Sequence, residues 1–421
     1  DGVSTLPDGQ ANSNFGNLYV TWARYYPTGQ FPGETNPLGG SDVMIAVSGD
    51  SGLTWQLRTR TDTNTGFVDS VLRTKDNTGM ETSAGLGYLN WSRIAVGAVG
   101  DVAVADFVGG WFVVNHSNDA AATFFVPTQE DFVGLPFGSG GKLLTANLSN
   151  NSFRTVPTRA IAADPVRPGF LYVAEPLPVF DSVGNPVDAA EIFFARSEDY
   201  GRSWKSIKLP NTSISRSVND DNGGRRSDGT PQNVAADQFM VRMEVNAAGD
   251  IGLVWYDTRR DPGNHLIDVF GAISTDAGKT FGSNFRVTDQ SFDADQGEFA
   301  DATGKPILFL GDTVGFAMSD QLAYVAWTDT RNGNQDIYFR KLPIDPPPPP
   351  LNDRFEPNNE LGNATDLGSI VTSILPRLAL NVADTDWFRL KSSASGKLTI
   401  TVRSDSDAEQ IDLQILDSQG A

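Results

Sequence analysis

The chain has 421 residues and a formal net charge of −20, with the acidic residues spread along its length. That balance argues against nucleic acid or an anionic membrane surface as a natural partner. The absence of cysteine excludes disulfides, thiol catalysis and Cys-ligated zinc.

In chain order, the first predicted strand, NLYVTW, reaches Trp22, and the second, DVMIAVS, opens at Asp42 and leads into SGDSGLTW at 48–55. A strand beginning WQLRTR follows. A second unit starts with RIAVGAVGD at Arg93, continues with DVAVAD, and passes through Trp111 to SNDAAATF at 117–124. A third runs from Arg159 through FLYVAE and EIFFARS to SEDYGRSW at 197–204, then WKSIKL. A fourth opens with RMEVNAAGD at Arg242 and continues through DIGLVW and DVFGAIS to STDAGKTF at 274–281. A fifth, LAYVAWTDTRNGNQDIYFRK, has the strand pair without the closing eight-residue box. The boxes share S-x-D-x-(G/A)-x-(T/S)-(W/F) and recur roughly every 70 to 80 residues, a period that sets the whole architecture. Asp and Gly suit tight turns, because Asp accepts nearby backbone N–H groups and Gly takes positive φ. Short alternating strands joined by such turns read as antiparallel meanders. Four strands per unit, repeated radially, remove exposed sheet edges as a β-propeller does.

These boxes resemble the Asp-box repeat of the sialidase-like (BNR) propellers. The resemblance covers 1–342 and implies an all-β fold of six blades, of which five units are visible, around 9–60, 93–130, 159–210, 242–288 and 314–342. A missing blade is expected upstream of Asp1. The resemblance implies that each box turns between the third and fourth strands of a blade. Asp50, Asp119, Asp199 and Asp276 would bind backbone N–H groups there, and Trp55, Phe124, Trp204 and Phe281 would pack between strands. It also implies that the boxes lie away from the substrate face, so they are read as structural.

Sialidases of this fold hold a substrate carboxylate with three arginines and use a Tyr–Glu pair as nucleophile and an Asp as acid/base. Arg93, Arg159 and Arg242 each open the first strand of a unit and are the candidate carboxylate binders, since a guanidinium fork matches a carboxylate. The alternative is a repeated strand that keeps its Arg for a neighbouring acid. Ala95 stands where the family's Arg-Ile-Pro motif has Pro, no tyrosine matches the nucleophile, and Glu244 shares the face of Arg242. The repeated W-x-D-T-R of WYDTRRD and WTDTRNG suggests structural pairs of Asp257 with Arg259 and Asp329 with Arg331.

The oxygen-rich loops NDDNGGRRSDG at 219–229 and DADQGEFAD at 293–301 offer Asp220, Asp221, Asp293 and Asp295 as candidate Ca²⁺ ligands, the alternative being solvated acidic loops. The chain has two histidines, too few to suggest a Ser-His-Asp triad. His116 reads as a strand residue and His265 as part of a polar loop.

PIDPPPPP at 343–350 marks a linker over 343–352, because consecutive prolines favour extended polyproline II. Beyond it, DRFEPNN, DTDWF, GKLTITV and IDLQILDSQGA resemble the bacterial pre-peptidase C-terminal (PPC) domain. That resemblance implies a β-sandwich over 353–421, here incomplete. No apolar run is long enough to span a bilayer, and no leader segment is recognisable, so a mature secreted bacterial protein, extracellular or at the cell surface, is expected. The readings in play are a glycan-binding or structural module with a glycan or another extracellular protein as partner, an exo-sialidase or related glycoside hydrolase, and a calcium-stabilised scaffold.

Overall fold

The computed structural model describes residues 16–26, 40–58, 90–97, 100–108, 111–124, 158–180, 186–207, 216–221, 236–296, 298–300, 306–308 and 310–344, with 358, 360–370, 385–392, 395, 400 and 413–416. Over these residues the chain is all-β, and its strands form meanders in sequence order. The first sheet joins β1 (Leu18–Tyr26), β2 (Gly40–Ser48) and β3 (Gln56–Arg58), and the second joins β4 (Asn90–Val96), β5 (Val102–Val108) and β6 (Trp111–Ser117). The third holds β7 (Ala160–Ala163), β8 (Leu171–Phe180), β9 (Pro186–Ser197) and β10 (Lys205–Ser206). The fourth holds β11 (Gln238–Val245), β12 (Ile251–Asp257), β13 (Asp268–Ser274) and β14 (Phe285–Arg286). A short hairpin of β15 (Glu298–Ala300) and β16 (Pro306–Leu308) precedes the fifth sheet, β17 (Gly315–Met318), β18 (Leu322–Asp329) and β19 (Asp336–Pro343). Beyond the proline run, β20 (Thr365–Ile370) pairs parallel with β21 (Phe388–Ser392). The rest of the expected sandwich, and the upstream part of the first unit, lie outside the described residues.

The sheets radiate from an inner file of first strands. β4 lies against β7, β7 against β11 and β11 against β17, while β1 lies against β4. This is the arrangement of a β-propeller, and its core is divided into layers between neighbouring sheets. Val43, Ile45 and Val47 meet Val102, Val104 and Phe124 between the first two sheets. Ala95, Ala103 and Ala105 meet Ile161, Leu171 and Val173 between the next two. Tyr172 and Phe194 face Leu253 and Trp255 across the third layer, and Tyr256 faces Val325 and Trp327 across the fourth. Trp255, Tyr172, Tyr256 and Phe194 are fully buried, each worth about 1.5–3 kcal/mol of transfer free energy.

The four repeated turns are built alike. In the first, the Asp50 carboxylate accepts the Thr54 backbone N–H at 2.8 Å and the Thr54 hydroxyl at 2.6 Å, while Ser48 Oγ accepts the Gly52 N–H at 2.8 Å. Asp119, Asp199 and Asp276 make the matching bonds to Thr123, Ser203 and Thr280. Each turn takes two successive residues through the left-handed region: Ser51 and Gly52, Ala120 and Ala121, Tyr200 and Gly201, Ala277 and Gly278. The second turn does this with alanine at both positions, which is why a box without its glycine still closes.

Two expectations need correction. The candidate arginines do not open their strands: Arg93 is inside β4, Arg242 is inside β11, and Arg159 precedes β7. Nor are the three equivalent. Arg93 is opposite Ala105 and Arg242 opposite Val254, but the matching partner in the third sheet, Ala174, is opposite Ala160. Arg159 is therefore one residue out of frame and, by the period-2 alternation of a strand, on the other face. The second correction concerns the turn aromatics. Phe124 and Phe281 pack towards the preceding sheet, Phe281 edge-on to Phe194 at 5.0 Å, and Trp204 packs in the layer shared with the second sheet. Trp55 instead is 44% exposed, with its indole N–H donated to the Gly52 carbonyl at 3.1 Å.

Candidate functional site

The turns occupy one end of the sheets, where Ile251 is opposite Ser274. At the other end Gln238, Asp257 and Asp268 stand in one row across β11, β12 and β13. A network of charged and amide side chains is built there.

Trp255 donates its indole N–H to Asp257 Oδ2 at 2.8 Å, and Trp327 does the same to Asp329 at 3.0 Å. Arg259 donates its backbone N–H and Nε to Asp257, reaches Asp220 at 2.6 Å and Asn284 at 3.0 Å, and stacks over Phe270 at 4.4 Å. Arg331 repeats this with Asp329, with Asp289 at 2.8 Å and over Tyr338 at 4.4 Å. The hydrogen bonds from Arg331 to Asp329 hold its guanidinium still more firmly protonated. Every guanidinium nitrogen of both arginines is engaged, and W-x-D-T-R is a device that locks a strand end, as its repetition suggests. Arg286 is held likewise by Asp268 at 2.6 Å.

Asp220 exchanges bonds with Asn284 besides receiving Arg259. Asp221 accepts Asn219 and, at 2.9 Å, Gln238. Asn219 also donates to the buried Glu191. Asn219 opens the oxygen-rich loop singled out in the sequence, but nothing there marked Gln238, or the link from Asn219 to Glu191, because those partners come from distant parts of the chain.

Asp293 and Asp295 flank the start of a 3-10 turn at Ala294–Gln296. They meet His265, a partner the sequence did not suggest. Its Nε2 is 2.9 Å from Asp293 Oδ1 and 3.9 Å from Asp295 Oδ2. One ligand atom from each of the three residues falls within 4.8 Å of the others. Among the described residues, Asp220 and Asp221 join no such group of three. His116, by contrast, is buried beside Tyr200, and burial holds its imidazole down to about 4.

Of the candidate carboxylate binders, Arg159 is ion-paired through Nε to Glu175, both side chains being 8% exposed. Arg93 and Arg242 are half-buried on the inner strands. Arg242 engages no carboxylate at ion-pair distance among the described residues. Burial pushes the carboxyl of Glu244 up, and the nearby charge of Arg242 counters it. Tyr172 donates to Asp164 at 2.6 Å and Tyr256 to the Thr328 carbonyl at 3.2 Å, so neither hydroxyl is offered to a ligand.

No family model matches the chain, and no curated protein does. Among solved structures it is similar to a protein of unknown function from Dyadobacter fermentans DSM 18053, at 14% identity over 78% of this chain and 92% of that one, with a TM-score of 0.36. It is similar to an α-L-arabinofuranosidase from Fusarium graminearum in complex with an iminosugar inhibitor, at 12% identity over 78% and 89%, with a TM-score of 0.35. It is also similar to an α-L-arabinanase from Penicillium chrysogenum complexed with arabinobiose, at 13% identity over 80% and 91%, with a TM-score of 0.34. At these scores none of the likenesses bears on a substrate, and the architecture stands on the strand pairing described above.

Proposed function

We propose that this is a secreted propeller that binds an acidic carbohydrate at its inner strands. One observation carries the reading. Arg159, Arg259, Arg286 and Arg331 are each held by a carboxylate of the protein. Arg242, half-buried on an inner strand, engages none at ion-pair distance among the described residues. A guanidinium so placed suits an incoming carboxylate despite the chain's net negative charge, and it binds one without any catalytic apparatus. Arg93, in the same frame on β4, is the second inner-strand cation.

Glycoside hydrolysis is the second reading. It is favoured by Glu244, whose burial raises the carboxyl's hold on its proton, as a general acid requires. The test is isothermal titration with a sialylated oligosaccharide and its neutral analogue, run beside a fluorogenic sialoside assay. The expected result is binding of the acidic sugar alone, weakened about tenfold or more in Arg242→Ala, the loss of one charge-assisted contact, without turnover. Equal binding by wild type and variant overturns the site. Turnover that is lost in Arg242→Ala replaces binding with hydrolysis.

A further inference from the structure

We infer that His265, Asp293 and Asp295 form a binding site for a first-row divalent transition ion of the Zn²⁺ class, rather than for Ca²⁺. The three donors come from two segments far apart in sequence. His265 lies in the loop before β13 and the aspartates in the turn after β14. The Ile267 N–H donates to the Phe292 carbonyl at 2.8 Å, and the Phe292 N–H returns the bond at 3.0 Å. Asp261 accepts the backbone N–H of His265 at 3.0 Å and of Leu266 at 2.9 Å. Thr330 donates its hydroxyl to the Asp293 carbonyl at 2.6 Å, tying the aspartate segment to the end of β18. The donors are thus positioned by backbone that the sheets already hold.

The spacing fits a small ion. Ligands at about 2.0–2.2 Å from a tetrahedral zinc stand about 3.4 Å apart, and the Nε2 to oxygen separations of 2.9 and 3.9 Å bracket that value. The Nε2 to Asp293 Oδ1 separation of 2.9 Å is a hydrogen-bonding distance, and an ion entering the site takes the bridging position between the two. The donor set decides the class. Ca²⁺ takes six to eight oxygens, whereas one imidazole with two carboxylates suits Zn²⁺, Co²⁺ or Mn²⁺ and leaves further coordination positions open. All three side chains are partly exposed, so solvent or a ligand oxygen can fill those positions. The inference does not depend on carbohydrate binding at Arg242.

The composition makes the site easy to test. The chain has no cysteine and two histidines, and the other imidazole, His116, has its Nε2 shut away from solvent. Co²⁺ and Zn²⁺ are titrated into the full chain, read by the visible d–d absorption of Co²⁺ and by calorimetry. His265→Ala, Asp293→Asn and, as a control, His116→Ala are run in parallel. The expected result is one ion per chain, a cobalt band that Zn²⁺ displaces and a large excess of Ca²⁺ does not. Affinity falls more than about tenfold in His265→Ala and in Asp293→Asn, and is unchanged in His116→Ala. Far-UV circular dichroism on each variant separates lost binding from lost folding. If His265→Ala misfolds, carbethoxylation of His265 in the wild type, blocked by bound Zn²⁺, gives the same answer. Cobalt binding that survives in folded His265→Ala, His265 carbethoxylated equally with and without Zn²⁺, or displacement of cobalt by Ca²⁺ at equal concentration would overturn the inference.

Discussion

Asp199 shows how one residue closes a turn. It accepts the Ser203 N–H and hydroxyl at 2.8 and 2.6 Å and the Ser197 hydroxyl at 2.8 Å. Asp199→Ala leaves these donors without their acceptor and is expected to cost about 1–3 kcal/mol, read from the denaturant midpoint. The glycines of the turns separate two effects. A Cβ on Gly201 would meet nothing nearer than Leu171 at 3.5 Å, so Gly201→Ala costs only the left-handed backbone, about 1–2 kcal/mol. A Cβ on Gly278 would stand 2.5 Å from the Phe194 ring, so Gly278→Ala is expected to destabilise clearly more; equal midpoints for the two variants would contradict this packing. The carboxylates also set an acid limb. Hydrogen bonds from the Thr54 hydroxyl and backbone hold Asp50 down to about 2 from an ordinary 3.8. In Asp199, burial opposes the shift but the bonds from Ser203 and Ser197 outweigh it. A carboxyl depressed in the folded state stabilises above its unfolded pKa and loses that contribution as pH falls through the folded value. Stability is therefore expected to decline below about pH 4, and the limb to flatten when Asp50, Asp119 and Asp199 are changed together to Asn.

At the scale of the element, Phe124, Trp204 and Phe281 each join their own sheet to the one before. Phe281 packs on Phe194, and Phe281→Ala is expected to cost about 2 kcal/mol, below the 3–5 kcal/mol of a fully buried phenylalanine because the ring is only partly buried. Trp55→Ala, at an exposed site, is expected within about 0.5 kcal/mol of wild type; thermal unfolding of the pair checks the contrast. The turns and meanders were legible because they are local: Ser, Asp, Gly and an aromatic at fixed offsets carry their own hydrogen bonds. The W-x-D-T-R locks were legible for the same reason. Frame was not. Arg159 looks in sequence like Arg93 and Arg242, yet it belongs one residue away in register, and only its pairing with β8 reveals the Glu175 partner. His265 was missed because its carboxylate neighbours are brought to it by the Ile267–Phe292 bridge, which no spacing announces.

For the whole molecule, different polar structures occupy the two ends of the sheets. The repeated turns take one end, and the locked arginines, the amide-linked carboxylates and the His265 group take the other, with Arg93 and Arg242 on the inner strands between. The account's central claim is that ligand meets the inner strands and not the repeated turns. Hydrogen exchange followed by mass spectrometry, with and without a saturating acidic oligosaccharide, tests this directly. The account predicts added protection over 93–96 and 237–245, and none over 48–55, 117–124, 197–204 and 274–281. Protection confined to those turns, with 237–245 unchanged, would contradict it.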